Sequence, residues 1–288
     1  MNEFEEYRRL LFSIAYRMTG SAMEAEDIVQ EAYVRYQSVD RESVANPKAY
    51  LTTIATRLAL NHLASARVQR ETYLGPGLPE PVPGADQPVL AARSRRASDY
   101  DSISMAFMVL LENLTPAERA VFILREVFDY PYDEIGGMLE KSEAACRKLY
   151  SRAKAYVAAN RPRFKAEPSE HRRLLEQFVA AVSSGDLDGL TGLLSEEAAL
   201  WVDGGGRVRG AATRPIFGRQ AVALFLKSGA MRFTPEGATA GIAEVNGQPA
   251  LLARDAQGAP IFVLSIGVKE GQIDKIWATT NPDKLKGI

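Results

Sequence analysis

Arg147, Lys148, Ser151, Arg152 and Lys154 are side chains that can read or grip nucleic acid, and they crowd into one short stretch. Arginine and lysine reach guanine edges and phosphates, and serine can serve either. Between them stand Cys146, Leu149, Ala153 and Tyr156, at helical steps of three and four. One face of such a helix packs, and the others are free to meet a major groove. From Lys141 to Lys165 eight residues are basic and one, Glu143, is acidic, whereas the whole chain carries 35 basic and 36 acidic residues. Positive charge is concentrated where phosphate binding needs it. A merely solvated basic helix would show the same periodicity, but the residues before it argue otherwise. Thr115-Pro116-Ala117-Glu118 is a capping-box start, and Asp129-Tyr130-Pro131 is a break. Residues 132–139 read as a short helix, and Glu140-Lys141-Ser142 as a tight turn whose serine caps the next helix. With small Ala144 and Ala145 at its entry, this is helix–turn–helix spacing.

Three further places carry candidate chemistry. Arg57, Asn61, His62, Ser65, Arg67 and Arg70 lie on the polar side of a helix predicted from Asn46-Pro47 to about Arg70. Asn and Arg suit base edges, and His can stack on an unpaired base. Glu24, Glu26, Asp27, Gln30 and Glu31 make an acidic face on the helix before it, over 22–38. That face cannot bind phosphate; it either receives a basic protein partner or is solvated. Asp203 stands before Gly204, Gly205 and Gly206, where aspartate is first a turn residue. No second base at matched spacing accompanies it. His171, at the start of a helix, is expected to be solvated. One cysteine, Cys146, and two histidines, His62 and His171, cannot assemble a Cys/His zinc site, and no cofactor is expected. The single thiol excludes an internal disulfide and suits a cytoplasmic protein.

A chain of 288 residues with 46% apolar and 25% charged residues has room for two or three domains with cores of their own. Glu3, Glu5 and Glu6 precede any apolar run, which argues against a signal peptide, and no stretch approaches the ~20 apolar residues of a membrane span. Residues 2–19 read as a helix with Phe4, Tyr7, Leu10, Leu11, Ile14 and Met18 on one face. Ser21, with Glu24 three places on, caps the next. The Pro-rich stretch 72–91 is an extended, stiff linker, and residues 98–113 return to helix. A second linker is expected over 158–169, with Pro162 and Pro168. Beyond Glu170 come helices ending at Ser184-Gly185 and spanning 186–194. Strands follow over 198–202, 206–209, 238–245, 249–254, 261–269 and 272–279, with a helix at 218–227 between them. Asn246-Gly247 and Glu270-Gly271 are hairpin turns. The layout is α+β, an antiparallel sheet curving around a helix.

Glu26-Asp27-Ile28-Val29-Gln30-Glu31-Ala32-Tyr33 resembles the region 2 helix of sigma-70-type RNA polymerase sigma factors of the extracytoplasmic-function (ECF) group. Residues 114–154 resemble their region 4, the helix–turn–helix that reads the −35 element. Residues 170–280 look like a SnoaL-like domain, the cone-shaped fold shared with ketosteroid isomerases and polyketide cyclases. An ECF subgroup, sigma-J-like, carries such a domain together with three signatures. They stand here as Gly77-Leu78-Pro79-Glu80-Pro81, where the family has Trp first; as Asp203-Gly204-Gly205-Gly206; and as Asn281-Pro282-Asp283-Lys284-Leu285.

The resemblance implies a multidomain chain: two all-α domains for polymerase and DNA, the second a helix–turn–helix, then an α+β SnoaL-like cone. Its boundaries would be 1–71 for region 2, 72–97 for the Pro-rich linker, 98–158 for region 4 and 170–288 for the C-terminal domain and tail. It implies that Asp27, Gln30 and Glu31 face core RNA polymerase, and that Arg57, Asn61, His62 and Arg67 meet the −10 element. Ser142, Glu143, Arg147, Lys148, Ser151 and Arg152 would meet the −35 element. The C-terminal domain would regulate in cis, touching the sigma domains through linker and tail, and its pocket would admit a small ligand. Gly77 for Trp removes a large anchor from the linker. A DNA-binding regulator fused to an isomerase-like or cyclase-like enzyme is the alternative, as is a ligand-sensing helix–turn–helix repressor. The tail, beyond the last strand, is expected to matter more for activity than for stability.

Overall fold

The computed structural model describes residues 3–70, 73–84, 103–160, 167–230 and 235–288. The chain forms two compact units, one of residues 1–71 and 85–161, the other of residues 72–84 and 162–288.

The described elements of the first unit are all helices. Helix α1 spans Glu3–Thr19, α2 Ala22–Gln37 and α3 Pro47–Arg70. Ser21 caps α2, its hydroxyl accepting from the Glu24 amide at 3.1 Å. Then come α4, Met105–Glu112, and α5, Pro116–Phe122, which continues as a π turn over Ile123–Val127. Both halves of the Thr115/Glu118 capping box are present. Helices α6, Tyr132–Leu139, and α7, Glu143–Asn160, form the helix–turn–helix. Glu140, at φ 54°, ends α6 in the left-handed region. The core runs through all of these: Leu11, Ile14, Met18, Leu51, Met108, Leu111, Phe122, Ile135 and Cys146 are buried. The helix expected over 98–113 is shorter. Ser104 caps its first turn, and residues 98–102 lie outside the described ones.

In the second unit α8 is Pro168–Ser184, α9 Leu187–Leu193 and α10 Arg219–Ala230. Six strands make one sheet: β1 Leu194–Asp203, β2 Ile216–Phe217, β3 Thr239–Val245, β4 Gln248–Arg254, β5 Pro260–Lys269 and β6 Gln272–Thr279. Their order is β2-β1-β6-β5-β4-β3. One face packs on the helices through Leu175, Phe178, Leu200, Val222, Leu264 and Ile276. On the other face Val245, Ala250 and Val263 pack with Leu285 of the tail, the alternation a pleated strand requires.

Several expectations are corrected. Residues 206–209 form no strand: Gly205 and Gly206 take φ 57° and 72°, and the Arg207 amide closes on the Gly204 carbonyl at 2.9 Å. The sheet is mixed, because β1 and β6 run parallel. Pro168 opens α8 rather than belonging to a linker. His171 is buried, 4% exposed, and burial pushes its imidazole below the ordinary value. The tail is packed: Leu285 is 1% exposed.

Candidate nucleic-acid interface and a buried latch

The helix–turn–helix offers its expected readers to solvent. Ser142, Glu143, Arg147, Lys148, Ser151 and Arg152 are all exposed, while Cys146, Ala153 and Val157 face inward. Ser142 caps α7 through the Ala145 amide at 3.2 Å. Arg147 pairs with Glu143 and lies over the Tyr132 ring at 4.5 Å, which holds its guanidinium against the surface of α6. Lys154 sits 3.5 Å from Glu126.

On α2, Asp27, Gln30 and Glu31 are exposed. With Met23 and Val34, 55% and 60% exposed, they lie on one helical stripe at steps of three and four. The acidic face is therefore bordered by uncovered apolar side chains. Glu31 pairs with Arg35 at 2.7 Å.

The candidates on α3 are partly engaged within the same unit. Arg57 donates to the Met138 carbonyl at 2.9 Å and the Gly137 carbonyl at 3.0 Å, and its guanidinium is 3.1 Å from Glu140. These are terminal carbonyls of α6, where a cation is favourable. His62 meets Glu24 at 3.0 Å, and Asn61 is exposed. The side chain of Arg67 lies outside the described residues. Two buried contacts reinforce this seam, Thr52 with the Tyr130 hydroxyl at 2.9 Å and Arg119 donating to the Met18 carbonyl at 2.5 Å. Tyr130 and Arg119 had no signal in the sequence, because each partner is far along the chain.

In the second unit the three signatures converge on Asp203, which is 0% exposed. One carboxylate oxygen accepts from the Tyr73 hydroxyl at 2.5 Å and the Gly205 amide at 3.2 Å. The other accepts from the Leu78 amide and the Lys284 ammonium, both at 2.8 Å. All four lone-pair directions are filled. The parallel pairing of β1 with β6 sets Asp203 beside Thr279, and the Asp203 carbonyl accepts from the amides of Thr280 and Asn281 at 2.8 and 2.9 Å. Lys284 also donates to the Leu78 carbonyl. Asn281 donates to the Tyr73 hydroxyl at 3.1 Å and caps the turn at Pro282–Leu285 through the Asp283 amide. Arg207 reaches Asp283 at 3.0 Å on the surface, and Lys286 with Arg207 holds that carboxyl below its usual value. Burial and then the Asp203 hydrogen bond push the Tyr73 phenol well above its usual value, so it stays a donor.

This latch holds the linker. Leu78, Pro79, Pro81 and Val82 are buried, and Glu80 is half-buried. The Asn246 amide donates to the Val82 carbonyl at 2.9 Å, and the Asn246 side-chain oxygen accepts from the Val82 amide at 3.0 Å. Among the described residues only the Tyr73 ring comes near Gly77, 3.9 Å from where a Cβ would stand. Tyr73 is thus the aromatic anchor here, and only its ring within a Pro/Gly-rich stretch could have hinted at it. Gly206 admits close approach of the linker, since a Cβ there would stand 3.0 Å from Leu74.

Among the described residues no group of His, Cys, Asp or Glu could hold a metal ion, and no helix is long and apolar enough to cross a membrane. A cavity of about 330 Å³ opens between α8, α10 and the sheet. Its described lining contains no ionisable side chain, and Asp203 spends its carboxylate on the linker.

Comparison with known proteins agrees with both units. The Sigma-70 region 2 family matches residues 4–68, and the Sigma-70, region 4 family matches residues 104–157. The chain is similar to the ECF RNA polymerase sigma factor SigJ of Mycobacterium tuberculosis, 36% identical over all of this chain and 93% of SigJ. SigI of the same organism is 31% identical over 97% of this chain and 92% of its own length. The crystal structure of Mycobacterium tuberculosis SigJ superposes with a TM-score of 0.77 at 33% identity, covering 99% of this chain and 98% of that one.

Proposed function

The chain belongs to the ECF group of sigma-70 family RNA polymerase sigma factors, and from that membership we propose how its residues divide the work. It is an alternative-sigma transcription initiation factor. Core RNA polymerase and promoter DNA are its partners, and the cytoplasm is its compartment. Asp27, Gln30 and Glu31 dock α2 on a basic surface of polymerase, where complementary charge sets register and on-rate. Arg147 or Lys148 reads a guanine of the −35 element, and Arg152 grips phosphate. Arg57, Asn61, His62 and Arg67 serve the −10 element.

The C-terminal unit restrains this activity in cis. Two observations together carry the reading, the docking of linker residues 72–84 in the second unit and the seat of Arg57 on the end of α6. Promoter elements named for positions −35 and −10 lie about 25 base pairs apart, on the order of 85 Å at ~3.4 Å per step. A side chain that serves one element cannot at the same time grip the helix–turn–helix that serves the other. The conformation is a closed one, and promoter binding has to part α3 from α6. Residues 72–97 are the connector that must span the gap, about 80 Å as a stiff polyproline-type chain. Docking residues 72–84 in the second unit takes half of that reach away.

Run-off transcription with core polymerase tests this. Lys284→Ala, which loosens the linker, should yield several-fold more promoter-specific transcript than the parent chain. Equal or lower yield counts against restraint by the latch, and no specific transcript from any cognate promoter would sink the initiation reading. The enzyme alternative finds no support in an Asp203 whose acceptor positions are all occupied, since a general base needs a free one. Turnover of a small ketone that fails in Asp203→Asn would revive it.

A further inference from the structure

The cavity of the second unit has a chemistry of its own. Phe178 and Val182 of α8, Phe225 of α10, and Leu200, Leu251 and Ala278 of the sheet give it apolar walls. Its volume, about 330 Å³, is at the lower end of ligand pockets, roughly 300–1,000 Å³. The polar side chains in the lining are Ser183 and Thr280, both hydroxyls. Thr280 donates to the Asp203 carbonyl at 3.1 Å, so toward the cavity it offers an acceptor. A charged ligand would lose its hydration here with no partner, whereas a neutral apolar one with a single hydroxyl would not.

The same walls touch the latch. Val202, Val208, Gly210 and Ala211 line this cavity and also a second one of about 240 Å³. The far side of the second is Leu74 and Gly75 of the linker, with Gly204 and Gly206 of the glycine loop. That loop is tight at two of its glycines. A Cβ on Gly204 would stand 2.6 Å from the Ala211 methyl, and one on Gly206 would stand 3.0 Å from Leu74. Pressure on Val208 and Ala211 from the large cavity is passed toward the loop that seats the linker, most directly where Ala211 meets Gly204.

We propose that this cavity binds a small, neutral, mainly apolar molecule, such as a medium-chain alcohol, and that its occupancy loosens the docked linker through residues 204–211. Coupling of this kind is reciprocal, so a chain with a loosened linker must bind the molecule more tightly. Binding and coupling are both read on the free protein, so their failure leaves the sigma-factor reading intact; only an effect on transcription rests on that reading.

The test is a fluorescence titration of the full chain with N-phenyl-1-naphthylamine, competed with 1-octanol or octanoate. Saturable one-site binding, displaced by the alcohol and at least tenfold less well by octanoate, is expected. Ala240→Trp, at an exposed position of the lining, should weaken the probe at least tenfold with an unchanged melting temperature. Ala278→Phe, deeper in, should do the same. Tyr73→Phe, which loosens the linker, should tighten the probe several-fold. Absent saturation, or unchanged affinity in a folded Ala240→Trp, overturns the site. Equal competition by octanoate overturns the neutral class. Unchanged affinity in Tyr73→Phe overturns the coupling.

Discussion

Arg57 and Lys284 make the same kind of contact in the two units. Each is a cation that reaches across to carbonyls of a distant segment. They differ in their surroundings. The Arg57 side chain is 45% exposed and its ionic partner Glu140 is 77% exposed, so water can replace either. Lys284 is 19% exposed, and its partner Asp203 is fully enclosed. An exposed pair is worth little and exchanges easily, whereas breaking a buried one strands a charge. The Arg57 contact can therefore open at small cost, although the buried Thr52–Tyr130 and Arg119–Met18 contacts share its seam, whereas the Lys284 contact cannot open without help. On the proposed restraint, the control point lies in the second unit.

The largest expected effect is that of Asp203→Ala. It leaves the Lys284 ammonium and the Tyr73 hydroxyl without their acceptor and should cost ~3–5 kcal/mol, seen in urea unfolding. A loss below about 1 kcal/mol would show that the latch is no stronger than the seam at Arg57. Next comes Leu285→Ala, which tests the apolar half of the same grip. Burial at 1% exposure predicts a loss of ~2–4 kcal/mol by the same measurement. For that reason deletion of 281–288 should also lower stability, contrary to the sequence expectation.

A smaller effect separates the units by pH. Burial lowers the His171 pKa below its ordinary 6.5, and a hydrogen bond to the Pro249 backbone opposes this only in part. The unfolded chain then takes up the proton first, and stability is lost as pH falls through the ordinary value. Thermal melts between pH 8 and 5.5 should show that loss, and His171→Leu should flatten it. An unchanged slope in the variant would place the pH dependence elsewhere. The smallest effect is that of Arg57→Ala, about 0.5–1 kcal/mol in urea unfolding of the full chain. A loss above about 2 kcal/mol would erase the contrast between the two grips.

The two regions also differed in how far their sequences could be read. Local signals located the helices well: Ser21, Thr115 and Asp186 each accept a hydrogen bond from the amide three residues on. Asn246-Gly247 and Glu270-Gly271 take positive φ at both residues, as tight hairpin turns demand. Motif spacing brought the readers of α7 to one surface. What stayed hidden depends on partners far away. Nothing near Arg17, Arg119 or His171 announces that they are buried. The two-residue strand β2 is too short for a pattern, and the parallel pairing of β1 with β6 joins segments that sequence alone does not relate. Asp203 was recognisable as a turn residue, but its role as the meeting point of linker, loop and tail needed the sheet.

The Lys284 contact to Leu78 spans 206 residues, and the tail that supplies it is synthesised after both sigma regions. The region 4 match ends at residue 157. At ~5–20 residues per second, a ribosome needs roughly 6–25 s more to reach Lys284. Throughout that interval both promoter-reading regions can be folded while their fastening does not yet exist. A message broken before the codon for Lys284 would yield a chain whose linker was never tied down.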